Sequence, residues 1–102
     1  MVKVVWTQRA LVDLDDIGEY ISKDSTKYAK LTLEKLIDSA RMIAMNPLSG
    51  RIVPESNDKS IREIIKGNYR VIYQIRNINS AFILTVFHTS RLLSDKDLKE
   101  SK

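Results

Sequence analysis

Ile61-Arg62-Glu63-Ile64-Ile65-Lys66, Gly67-Asn68, then Tyr69-Arg70-Val71-Ile72-Tyr73-Gln74-Ile75-Arg76: the fold is decided by how this stretch is read. Two runs rich in β-branched and aromatic residues flank a Gly-Asn pair, which signals a hairpin. A third run, Phe82 to His88, follows the turn signal Asn77 to Ser80. Together they predict a three-stranded antiparallel meander. Its register matters, because a slip of one residue exchanges the two faces of a strand. A strict two-residue turn puts Arg62 on one face with Tyr69, Val71 and Tyr73. A three-residue loop or a bulge instead gathers Ile61, Ile65, Tyr69, Val71, Tyr73 and Ile75, and leaves Arg62, Lys66, Arg70, Gln74 and Arg76 opposite them. The second arrangement segregates apolar from basic side chains better, so it is the one expected.

Upstream of the meander the period is helical. Val2 to Trp6 reads as a short strand, and Thr7 can cap a helix starting at Gln8. Ala10, Leu14, Ile17 and Ile21 form one helical stripe, with Asp13, Asp15, Asp16 and Glu19 on a solvated remainder. Asp24 and Ser25 are the next capping candidates. Ala29, Leu33, Leu36, Ala40 and Ile43 make a second stripe, which Asn46-Pro47 ends. Two helices so closely joined predict an antiparallel hairpin, and residues 51–60 read as a loop. The expected fold class is α+β, with the helices on the apolar face of the sheet and the basic face turned away. A single domain is expected over 1–102, its core about 2–93 and a short charged tail at 94–102.

Composition narrows the chemistry. The 102 residues are 43% hydrophobic and 29% charged, as in ordinary globular domains. No apolar run exceeds four residues, so no membrane span is expected, and Arg9, Asp13, Asp15 and Asp16 interrupt any signal-peptide core. With no cysteine and one histidine, thiol chemistry and Cys- or His-rich metal sites are excluded, and no cofactor is expected. A cytoplasmic location follows as the expectation. The net charge of +4 is unevenly placed. Residues 1–50 are neutral, whereas 51–94 carry seven basic side chains, five of them arginine, against three acidic ones. A planar guanidinium suits phosphate or carboxylate, so a polyanionic partner is expected.

An arginine-rich sheet with one histidine, one glutamate and tyrosines nearby could cleave RNA without metal. Glu55 or His88 would serve as base, His88 or Tyr73 as acid, and Arg62, Arg70 and Arg91 as charge stabilisers. The plainer reading of the same residues is a strand-end histidine hydrogen-bonded at the sheet edge, Tyr69 and Tyr73 packed in the core, and arginines on a protein-binding or merely solvated face.

The series Trp6, Ala10, Asp13-Leu14, Ile17, Tyr20-Ile21; Asn46-Pro47; Gly50-Arg51-Ile52-Val53-Pro54-Glu55; Ile61-Arg62-Glu63-Ile64; Gly67-Asn68-Tyr69-Arg70-Val71-Ile72-Tyr73; and Val86-Phe87-His88-Thr89-Ser90-Arg91 resembles the RelE/ParE superfamily of bacterial type II toxins. The resemblance covers roughly residues 2–93 and implies a helical hairpin against a curved antiparallel sheet. Ile61-Arg62-Glu63, Gly67-Asn68-Tyr69-Arg70 and Val86-x-His88-x-x-Arg91 look most like the ParE side, whose members inhibit DNA gyrase. The lysine-rich loop and C-terminal tyrosine of ribonuclease relatives are missing. The resemblance thus implies a ParE-like toxin neutralised by a cognate antitoxin, with Arg51, Arg62, Arg70, His88 and Arg91 as target-binding residues. The amphipathic first helix and the basic sheet face would offer surfaces to the antitoxin. The alternative is a metal-independent endoribonuclease acting with the ribosome on mRNA, through Glu55, Arg62, Arg70, Tyr73, His88 and Arg91. A non-toxic binding module of the same fold ranks lower, and a homodimer stays open.

Overall fold

The β-branched opening residues form β1 (Lys3–Trp6), and Thr7 turns the chain directly into a helix. Residues 1–98 are described by the computed structural model. The Thr7 side chain accepts from the Ala10 N–H at 3.2 Å and donates to the Ile83 carbonyl at 2.8 Å, so it caps a helix and anchors it to the sheet. The two helices are α1 (Gln8–Ser22) and α2 (Thr26–Met45), with Ser25 capping α2 and Asn46 ending it before Pro47. These boundaries are the ones the capping residues predict. No helix among the described residues is long and apolar enough to cross a membrane.

The remaining strands are β2 (Arg51–Ile52), β3 (Ile61–Lys66), β4 (Tyr69–Asn77) and β5 (Ser80–His88), followed by a short helix, α3 (Asp95–Leu98). The sheet order is β1-β5-β4-β3-β2. β3, β4 and β5 form the expected antiparallel meander, while β1 joins β5 in parallel at one edge. At the other edge Arg51 and Ile52 pair with Glu63 and Arg62, although their segment reads as loop. Two residues are too few to display a strand period.

The expected register is wrong. Lys66 pairs with Tyr69, Ile64 with Val71 and Arg62 with Tyr73, so the turn has two residues. Gly67 takes φ +57°, and among the described residues no other type is found at positive φ, which fits a hairpin turn with glycine first. Arg62 therefore shares the helix-packed face with Tyr73, and Arg70 lies on the opposite face. Ile61 likewise leaves the helix side, where Ile64 takes its place. The reason is that both sheet faces are covered. On the helix side, Ala10, Leu14, Leu36 and Ile43 pack against Ile64, Val71, Tyr73, Ala81, Ile83 and Val86. On the far side, Val53, Ile61, Ile72 and Phe87 form a second cluster closed by Leu93 and Leu98. When both faces bury apolar residues, segregating them cannot select the register. A bulge does occur, but in β5, where Leu84 has no partner between Ile83 and Thr85.

The segment that follows His88, residues 89–98, is thus a strap over the far face, and the packed part of the chain reaches Leu98. Residues 99–102 of the expected charged tail lie outside the described residues.

Tyr73, with no exposed surface, closes the helix side. Its hydroxyl donates to the Pro47 carbonyl at 2.6 Å and accepts from the Gly50 N–H at 3.0 Å. Gly50 has no room for more: a Cβ there would stand 2.6 Å from the Glu63 carbonyl oxygen and from the Tyr73 hydroxyl. Tyr73→Phe should therefore cost about 1–3 kcal/mol, the penalty for leaving buried polar groups unpaired. Gly50→Ala should cost more, because backbone rather than a flexible side chain must move. Urea unfolding of both variants checks the order.

Candidate functional site

Arg70 stands on β4, the central strand, with only 5% of its surface exposed on the far face. Four of its five guanidinium N–H donors are engaged. Nη1 and Nη2 donate to the two carboxylate oxygens of Glu55, both at 2.8 Å, and Nε donates to Glu63 Oε1 at 2.6 Å. Nη1 also reaches the Arg91 carbonyl at 3.2 Å. Glu63, whose side chain is completely buried, receives Arg51 Nε on its second oxygen. Glu55 Oε2 additionally accepts from the Leu93 N–H at 2.9 Å, which fastens the strap. The Phe87 ring lies under both Arg70 and Arg91, at 5.3 and 4.6 Å.

These contacts set the local protonation. The Arg70 hydrogen bonds outweigh burial and, with the Leu93 N–H, lower the Glu55 carboxyl to about 2. The same pairing raises Arg70 further above its ordinary value, although burial opposes it. A second clasp holds the end of the strap: Asp97 accepts from Arg9 and Arg91, and from the N–H and hydroxyl of Ser94. Burial alone would push Asp97 up, but these donors together bring it to about 2.

Beside the first clasp lies a far-face cleft of 410 Å³, lined by Arg51, Pro54, Glu55, Ile65, Arg70, Thr89 and Leu92. Its mouth is amphipathic, since Arg51, Ile65 and Leu92 are all exposed there.

The residues expected to share one site fall in three places. Glu55, Arg70, Arg51 and Arg91 belong to the far face. Arg62 and Tyr73 oppose each other on the helix side, where Arg62 Nη1 donates to the Gly50 carbonyl at 2.9 Å. His88 ends β5 opposite Tyr69, its ring edge-on to the tyrosine and its Nδ1 2.9 Å from Ser90 Oγ. The basic face expected from Arg62, Lys66, Arg70, Gln74 and Arg76 does not exist as such. Arg62 and Lys66 turn to the helix side, Arg70 is enclosed by carboxylates, and Arg76 stacks over Phe82 at 4.2 Å.

Several residues that matter are missing from the set expected on sequence. Glu63 is the buried anion beneath Arg70. Asp97 has a legible signal: Ser94-x-x-Asp97 between Leu93 and Leu98 is a capping box with its hydrophobic staple. Asp13, read as part of a solvated helix face, instead accepts from Thr85 Oγ1 at 2.6 Å and Val86 N–H at 2.9 Å, beyond the point where β1 stops pairing with β5.

The two lowered carboxyl groups stabilise the fold while ionised in it, so their contribution is complete above their ordinary values of 4.5 and 3.8 and is lost as pH falls toward about 2. Thermal melts should be level near neutrality and drop between about pH 4.5 and 2. Glu55→Gln together with Asp97→Asn should lower the neutral-pH melting temperature and flatten that drop.

The family model described as "ParE toxin of type II toxin-antitoxin system, parDE" matches residues 4–93. A protein of Sinorhizobium fredii (strain NBRC 101917 / NGR234), named as the candidate toxin Y4kP, is 35% identical over 86 residues, covering 84% of this chain and 86% of its own. A solved structure titled "Chromosomal ParDE TA system from P. aeruginosa" superposes with TM-score 0.69 at 18% identity, over 86% of this chain and 96% of that one, so the fold is shared. With its strand, helical hairpin and covered meander, the chain belongs to the ParE toxin family of type II toxin–antitoxin systems.

Proposed function

We propose that the protein arrests bacterial growth by binding DNA gyrase in the cytoplasm, and that a cognate antitoxin neutralises it. The observation that carries this choice over RNA cleavage is the enclosure of Arg70 by Glu55 and Glu63. A transition-state phosphate needs an accessible cation with free donors, whereas Arg70 is 5% exposed and has committed three of its five donors to carboxylates and a fourth to a carbonyl. A general base works best with a pKa near the operating pH, and Glu55 sits near 2. Tyr73, the candidate acid, is buried with its hydroxyl committed to Pro47 and Gly50, and burial raises its pKa. His88 lies on the other sheet face from the Arg70 cluster.

What supports a binding mode is the far-face cleft. It presents Arg51 with the exposed apolar side chains Ile65 and Leu92 on a rigid floor. Mixed cationic and apolar patches of this kind suit protein surfaces, where a few central residues carry most of the affinity. Arg51, Leu92 and the outer edge of Arg91 are the proposed target contacts. An acidic antitoxin segment laid over the same cleft would block them.

Expressed alone, the protein should stop growth, and co-expression of the antitoxin should restore it. Purified protein should inhibit gyrase supercoiling and leave ribosome-bound mRNA uncut; mRNA cleavage without an effect on supercoiling would reverse the proposal.

Variants separate the roles. His88→Gln should stay folded and toxic. Leu92→Glu should melt near the parent temperature yet inhibit supercoiling about tenfold less, as expected for a contact worth about 1.4 kcal/mol. Arg51→Gln should lose inhibition too but also melt lower, because Arg51 neutralises the buried Glu63. Arg70→Glu should fail to fold, since removing one partner of a buried ion pair costs about 3–5 kcal/mol. Supercoiling assays with thermal melts read all of these variants.

A further inference from the structure

At the end of the molecule where the α1–α2 turn meets the β3–β4 turn, Lys35 and Lys66 line a hollow that shares Tyr28, Asn68 and Tyr69 with an acidic neighbour. Two clefts adjoin there, of 380 and 290 Å³, sharing Tyr20, Tyr69 and His88 as common walls. The larger is also lined by Asp13 and Asp16, the smaller by Asp24 and Tyr28. Neither is lined by a lysine or an arginine, although the chain carries 17 of them. Tyr20 and Tyr28 are 71% and 57% exposed, an unusual display of aromatic surface beside three carboxylates.

The carboxylates are open to a ligand. Asp13 uses only Oδ2 for Thr85 and Val86, and its Oδ1 has no hydrogen-bond partner among the described residues. Asp16, one turn along the same helix, is exposed and makes no side-chain hydrogen bond or ion pair among them. A nucleic acid would be repelled by this arrangement, and a purely apolar segment would leave the carboxylates without purpose. A flat cation satisfies both parts of the wall. Aromatic faces attract it through their quadrupole, and carboxylate oxygens accept from its N–H groups.

We infer that this groove holds an arginine side chain presented by a protein partner, with the guanidinium against Tyr20 and Tyr69 and its donors directed to Asp13 Oδ1 and Asp16. Arginine fits better than lysine because its planar fork can stack and bridge two acceptors at once. The groove opens on the helix-packed side of β5, so this contact is separate from the Arg51–Leu92 cleft and does not depend on which protein the toxin arrests.

The test is an NMR titration of the full chain with acetyl-Arg-Gly-Arg-amide, following the ring resonances of Tyr20, Tyr69 and His88. The expected result is saturable shifts of these rings, weaker binding of the lysine counterpart, and no binding of the neutral citrulline counterpart. Asp16→Asn and Tyr20→Ala, both changes at exposed positions, should each weaken binding about threefold or more. Asp38→Asn, which removes an equal charge elsewhere on α2, should change nothing. Absence of saturable shifts, equal binding of the citrulline peptide, or equal weakening by Asp38→Asn would each overturn the assignment.

Discussion

A guanidinium buried at the middle of a sheet must be neutralised where it stands, and the surroundings of Arg70 follow from that requirement. One carboxylate comes from the neighbouring strand as Glu63, the other from the loop between β2 and β3 as Glu55. Lysine could not replace it, because three fixed donors must meet two carboxylates in one plane. Through Glu55 the same guanidinium holds the Leu93 amide, and so it holds the strap. The strap in turn brings Leu93 and Leu98 over Phe87 and Ile72, closing the second core. Local polar geometry therefore decides where apolar area can be buried on the far face.

This arrangement also explains why charge counted along the sequence misrepresents the surface. The three acidic residues of 51–94 do not dilute a basic face evenly. Glu55 and Glu63 sit at its centre and consume Arg70 and Arg51, and Asp97 engages Arg91 from outside that segment. The outer arginines of this face, Arg51 and Arg91, reach solvent while their partners lie beneath them. The N-terminal half is similarly uneven, for Asp13 is tied to β5 while Asp16 is not.

The two long helices were fully legible, while α3 was not. Thr7, Ser25 and Asn46-Pro47 act through backbone hydrogen bonds within three or four residues, and such signals are carried by the local sequence. The meander was legible for the same reason, since Gly67-Asn68 and Asn77–Ser80 are local turns. Its faces were not, because that choice depends on what covers each side. The far-side cover comes from Leu93 and Leu98, and the capping box that places them is hidden in what reads as a charged tail. The candidate site failed with the register: the two-residue turn sets Arg62 opposite Tyr73 and Arg70 opposite Ile65, and so on different faces, whereas one added residue would have brought the two arginines together. Family resemblance identified the toxin lineage correctly, whereas it could not say which of the matched arginines are enclosed.

The parallel pairing of β1 with β5 has a consequence for the order of assembly. Thr7 and Ile83 meet across 76 positions, and Trp6 has no strand beside it until Ile83 has been made. The helical hairpin closes on local contacts, but the sheet that carries the three clefts cannot close before the last strand exists. A polypeptide released early from synthesis would hold two capped helices and an orphaned first strand, with nothing yet shaped to harm the cell that makes it.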